Sequence, residues 1–280
     1  MQTVTLGYSP CPNDTFLFYP LVHGSIPGNG FQFSERLEDV ETLNHLAMKG
    51  ALDVCKVSYH AYAYIRENYI LLRSGGAMGR GCGPLVVSKK PCEPGALLGK
   101  RIAVPGRLTT ACLLLQLFEP TLPKFVILPF DKIITAVAED KVDAGLIIHE
   151  SRFTYQSHGL HKVLDLGEWW EASTGLPLPL GGIAAKRSLG AATLARLSSL
   201  VRTSVEYARN HPTETLDYVH SHSQEMSEEV CSSHIALYVN DYSLDPGPEG
   251  ENAAKLLFAR GEQLGLFPAS NAPLFVSASK

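Results

Sequence analysis

The chain has 280 residues, 45% of them hydrophobic and 19% charged, with a formal net charge of −4 and a pI near 6.2. That length buries a large core and lies where one core commonly divides into two, so two domains are expected. The mildly acidic balance, with no Lys/Arg cluster interleaved with aromatics, argues against a nucleic-acid partner, and no apolar run approaches the roughly eighteen residues of a membrane span.

At the N-terminus the first Lys or Arg is Arg36, and Pro10, Pro12 and Asp14 interrupt any apolar stretch, so a secretory leader is not expected and the cytoplasm is. Residues 4–8 read as an apolar strand. A Pro/Asn/Asp turn follows, then helical patterns over 15–23 and 40–49. Asn13 or Asp14 is the expected N-cap of the first helix, with an anion or ribose site at that helix start as the functional alternative. A Gly/Pro-rich stretch at 75–84 (GGAMGRGCGP) marks the first crossing between domains. The pattern then resumes with strand 101–104, helix 111–118, strand 125–128 and helix 132–139, an alternation that predicts a mainly parallel sheet covered by helices.

Residues 41–62 (ETLNHLAMKGALDVCKVSYHAY) and 131–152 (DKIITAVAEDKVDAGLIIHESR) share one plan of helix, polar turn, hydrophobic-Asp and apolar strand. Aligned on Asp53 and Asp143, they place Lys56, Val57 and Ser58 at one strand end and Ile147, Ile148 and His149 at the other. Ligands of open α/β sheets bind outside the carboxyl ends of strands, so two facing ends predict a cleft between domains. After Trp169 and Trp170, the turn-rich segment 175–182 (GLPLPLGG) is the expected return crossing, with Gly181 and Gly182 as hinge residues. Helical stretches at 189–210 and 253–264 complete the chain.

Within this frame His149 has the pKa range of a general base, although a histidine ending a strand also suits a buried ring satisfied by a carbonyl. Glu150, one residue on, is expected to face away from the substrate side. Thr109 and Thr110 precede an apolar helix, where hydroxyls and free N–H groups can hold a carboxylate or cap the helix. Arg80 and Arg107 in glycine-flanked loops suit either a carboxylate ligand or interdomain ion pairs, and the Trp169–Trp170 pair suits either ring stacking or core packing. The six cysteines show no CxxC pair or zinc-ligand spacing and read as free thiols.

Segments 9–19 (SPCPNDTFLFY), 37–45 (LEDVETLNH), 74–84 (SGGAMGRGCGP), 104–110 (VPGRLTT) and 143–155 (DAGLIIHESRFTY) carry a further signal. Through them the chain resembles the 1,4-dihydroxy-6-naphthoate synthases of the futalosine route to menaquinone, from about residue 4 to 182 and more loosely beyond. The resemblance implies an α/β fold of periplasmic-binding-protein type II kind: two Rossmann-like three-layer domains, 1–86 with 183–280 and 87–182, joined by two hinge segments around a ligand cleft. It implies a cytoplasmic lyase that converts cyclic dehypoxanthinyl futalosine, a small anionic substrate, to 1,4-dihydroxy-6-naphthoate by carbon–carbon cleavage, with no metal or other cofactor. His149 falls on the catalytic position, and Lys56, Val57, Ser58, Thr109 and Thr110 fall on the substrate-binding ones. A chorismate-dehydrating enzyme of the same pathway and a non-catalytic solute-binding protein are the rival readings. A homo-oligomer is left open.

Overall fold

The computed structural model describes residues 1–121, 125–223 and 227–277. The chain opens with β1 (Gln2–Tyr8), α1 (Pro12–Val22), β2 (Phe31–Leu37), α2 (Val40–Met48), β3 (Val54–Ser58), α3 (Tyr59–Ile65), β4 (Tyr69–Leu71) and β5 (Ala77–Gly79). It crosses to a second unit of β6 (Leu85–Ser88), β7 (Ile102–Val104), α4 (Thr110–Phe118), β8 (Phe125–Ile127), α5 (Phe130–Ala138), β9 (Ala144–Ile147), α6 (Ser151–Thr154) and β10 (His161–Asp165). Through α7 (Leu166–Thr174) it returns along β11 (Leu178–Lys186), then adds α8 (Ala191–Asn210), α9 (Leu216–His222), α10 (Glu228–Tyr238), α11 (Asp241–Leu244) and α12 (Gly247–Gln263).

The first sheet runs β2-β1-β3-β11-β4, with β5 also on β11, and the second runs β8-β7-β9-β6-β10. In each, three strands are parallel and the neighbour of the third (β11 or β6) is antiparallel to it. The internal repeat is thus a repeat of topology, β1-β2-β3 matching β7-β8-β9. Its two aspartates do equivalent work. Asp53 accepts from the Thr5 backbone N–H in β1 at 3.1 Å, and Asp143 accepts from the Arg101 backbone N–H just ahead of β7 at 2.8 Å. Each carboxylate braces the strand beside its own, which accounts for the shared hydrophobic-Asp signature.

Burial follows the amphipathic pattern. Helix α5 buries Ile133, Ile134, Ala136 and Val137, one stripe at helical spacing, against the second sheet. Every residue of β3 is buried, as a central strand covered on both faces requires. One apolar cluster combines Val57 and Leu71 of the first sheet with Val86, Val104 and Leu146 of the second, so the lobes share a core as well as a cleft.

Three expectations need correction. The boundaries at 86/87 and 182/183 each fall inside a strand, because β6 belongs to the second sheet from Leu85 and β11 to the first from Leu178. Gly181 and Gly182 are not a hinge loop; they pair with Ser58 and Val57, and a Cβ there would lie 2.9 Å from Lys56 Cε or 2.7 Å from Leu71 Cδ2. The glycines serve packing. The two crossings instead meet at Gly83 and Gly167, where a Cβ on Gly83 would sit 2.2 Å from the Gly167 nitrogen. Finally, Cys11 occupies the N-cap position of α1 without a side-chain capping bond, and Asn13 and Asp14 lie within the first turn.

Candidate active site

A cleft between the sheets encloses about 670 Å³ of empty space, its open mouth included. The first lobe contributes Ser9, Asn13, Asp14, Lys56 and Ser58, the second Thr109, Thr110, Ala111 and His149, and helix α10 adds His234 and Tyr238. The two strand ends that the repeat brings into register are therefore on opposite walls. A cleft between two lobes with polar groups converging from both walls is a favoured place for a small molecule.

Most polar groups on the first wall already have partners. Lys56 pairs with Asp14, both nearly buried. Asp14 also accepts from Ser9 Oγ at 2.7 Å and from Asn13 Nδ2 at 2.8 Å. Ser58 does not cap α3 through its side chain; its N–H donates to Asn44 Oδ1 at 2.9 Å and its Oγ accepts from Asn44 Nδ2 at 3.2 Å. Val57 lies outside the cleft lining, its side chain packed in the shared core.

The second wall offers donors and a base. Thr109 caps α4, accepting from Cys112 N at 3.2 Å and donating to Gly106 O at 2.9 Å. The Thr110 hydroxyl accepts from Tyr59 N at 2.9 Å and donates to Leu180 O. Both hydroxyls are engaged, so an anion would meet the main-chain N–H groups of Thr110 and Ala111, which have no acceptor among the described residues.

His149 follows β9 with φ +56°, a left-handed backbone uncommon for a non-glycine residue. The turn ends the strand before the ring, so strand alternation does not apply to Glu150, which is buried at the start of α6 and not on a far face. The His149 ring packs edge-on to Phe130 at 5.3 Å and makes no hydrogen bond to protein among the described residues. Burial pushes its pKa down to about 4, with the Asp14 charge opposing, so the imidazole is neutral near pH 7 and able to accept a proton.

Two neighbours escaped sequence reasoning. His234 is fully buried and its Nε2 lies 2.9 Å from Asn13 Oδ1, with its ring 6.2 Å from that of His149. Its polar, irregular stretch gives no periodic sign that it reaches the cleft. Cys11 Sγ, His149 and Glu150 offer donor atoms within 4.8 Å of one another, so a thiophilic cation could be held by an adjacent pair and a thiol 138 positions before it, beyond any spacing rule. The remaining candidates lie elsewhere. Arg80 pairs with Glu249 at 2.8 Å, Arg107 is exposed away from the cleft lining, Trp170 is buried and donates to Pro177 O at 3.0 Å, and Trp169 packs edge-on to Phe118.

Two α/β lobes with facing strand ends around a shared cleft define a fold of the periplasmic-binding-protein kind. The fold of a Candida albicans protein described as having the generic periplasmic binding protein fold agrees, at TM-score 0.69 and 16% identity over 97% of this chain and 92% of that one. Residues 4–263 match the family model for menaquinone biosynthesis. A 1,4-dihydroxy-6-naphthoate synthase of Thermus thermophilus is 54% identical over 99% of this chain and 100% of its own, and one of Streptomyces coelicolor is 47% identical over 96% of each. The chain belongs to this menaquinone-biosynthesis family. No helix among the described residues is long and apolar enough to cross a membrane.

Proposed function

We propose that this protein is a 1,4-dihydroxy-6-naphthoate synthase, a carbon–carbon lyase that converts cyclic dehypoxanthinyl futalosine to 1,4-dihydroxy-6-naphthoate in the cytoplasm. The observation that carries the reading is an imidazole at the end of β9 that makes no hydrogen bond among the described residues and faces, across the cleft, the paired side chains of Lys56, Asp14 and Ser58. His149 is the general base. It removes a proton from a substrate hydroxyl, the oxygen becomes a carbonyl as the adjacent carbon–carbon bond opens, and the bonding pair leaves with the other fragment. The N–H groups at the start of α4 hold the substrate carboxylate; Lys56 and Ser58 line the opposite wall, and Val57 acts through the strand that carries them.

Incubation of the purified protein with cyclic dehypoxanthinyl futalosine, and separately with chorismate, tests the assignment by chromatography of the products. Naphthoate is expected from the first and nothing from the second. Turnover of chorismate alone would transfer the protein to the dehydrating enzyme of the pathway, and tight binding without turnover to the solute-binding proteins.

A further inference from the structure

The cleft holds a second imidazole that the proposed chemistry does not use. Asn13 donates through Nδ2 to Asp14 Oδ1 at 2.8 Å, which leaves its Oδ1 facing His234 Nε2 at 2.9 Å. An oxygen at that position requires the proton of His234 to sit on Nε2, because a neutral imidazole has one donor and one acceptor. Nδ1 is then the acceptor, and it is buried with no partner among the described residues. The rest of the network is satisfied through Lys56, Asp14 and Ser9. A buried acceptor left unmade is costly, so this one is suited to a donor that arrives with the ligand.

The surroundings narrow the ligand group. Tyr238 lies against the ring at 4.5 Å between centroids and gives its own hydroxyl to Cys82 O at 3.2 Å, so it does not serve Nδ1. Burial keeps His234 neutral, leaving Nδ1 unprotonated. A carboxylate would find no donor there, whereas a hydroxyl would find an acceptor for its proton.

We propose that His234 Nδ1 forms a hydroxyl-binding subsite that accepts a hydrogen bond from the sugar-derived part of the substrate and positions it beneath His149. The subsite rests on the synthase reading above. Asn13 acts as a positioning residue by fixing the tautomer.

Two substitutions separate this role from a structural one, because Asn places an amide oxygen near the Nδ1 position and Gln places its amide group near Nε2. His234→Gln keeps a partner for Asn13 and loses the acceptor; a fall in kcat/KM of about 10- to 100-fold is expected. His234→Asn keeps an acceptor and loses the Asn13 bond; a smaller fall is expected. The reverse ranking overturns the subsite. Substrate analogues lacking one ribose-derived hydroxyl give an independent reading on the unaltered enzyme. One of them should lose a similar factor there and nothing further in His234→Gln, whereas losses that multiply, or no loss for any analogue, overturn it even if a variant fails to fold. Absence of all turnover by the unaltered enzyme removes the synthase assignment and the subsite together, while turnover that ignores His234 removes the subsite alone.

Discussion

The ends of β3 and β9 occupy equivalent places in two copies of one topology, yet they are built oppositely. At the end of β3 the side chains that reach the cleft are tied down: Lys56 to Asp14 and Ser58 to Asn44. At the end of β9 the backbone turns left-handed and presents His149 with no hydrogen bond to protein among the described residues. On the proposed function, a repeated unit has been divided into a wall that shapes and a wall that reacts. Rigidity suits the first and an uncommitted lone pair the second.

The sharpest way to break this contrast is at His149. His149→Asn should fold normally, since asparagine tolerates the left-handed backbone, and should lower turnover by roughly two to four orders of magnitude. Near-normal turnover in the folded variant would place the base elsewhere. In the unaltered enzyme kcat/KM should stay level as pH falls from 7 and decline only near pH 4, where this imidazole takes up its proton. Stability should move differently. Between 6.5 and about 4 the unfolded chain binds protons that His149 and buried His60 refuse, so the unfolding temperature should drop across that window. His149→Asn should flatten part of that slope.

The opposite wall is probed by Lys56→Met, which strands Asp14 as a buried charge. A loss of about 3–5 kcal/mol in denaturant unfolding is expected. If stability barely changes, the pair is not the rigid element described, and the contrast between walls weakens. The smallest effect concerns the braces. Asp53→Ala removes bonds from both the N–H and hydroxyl of Thr5 and should cost about 1–2 kcal/mol, with Asp143→Ala, which is more exposed, costing roughly 0.5. Equal losses would mean that the lobes depend on the motif alike.

Much of this plan was legible in the sequence because it rests on local signals. The repeat around Asp53 and Asp143, the alternation of strands and helices, and the cap at Thr109 each depend on a few consecutive residues, and helix α4 begins within one residue of expectation. Glycine misled where its reason was tertiary: Gly181 and Gly182 read as a hinge, but their purpose is visible only once Lys56 and Leu71 pack over them. His234 and Cys11 were missed as neighbours of His149 because α1 and α10 meet only in the folded chain. Position within a turn misled at Glu150, since a single positive φ cancels the alternation of a strand.

The Thr110 hydroxyl joins three separated stretches of chain, receiving from Tyr59 and giving to Leu180, and close by Glu41 accepts from Leu108 N at 3.2 Å. The lobes are therefore latched along one side by protein groups alone. Traffic of substrate and product has to use the other flank, and swinging of the lobes as rigid halves would first have to undo this clasp. Scattering profiles collected with and without a bound dicarboxylate should accordingly be nearly superimposable, in contrast to receptors that snap shut on their cargo.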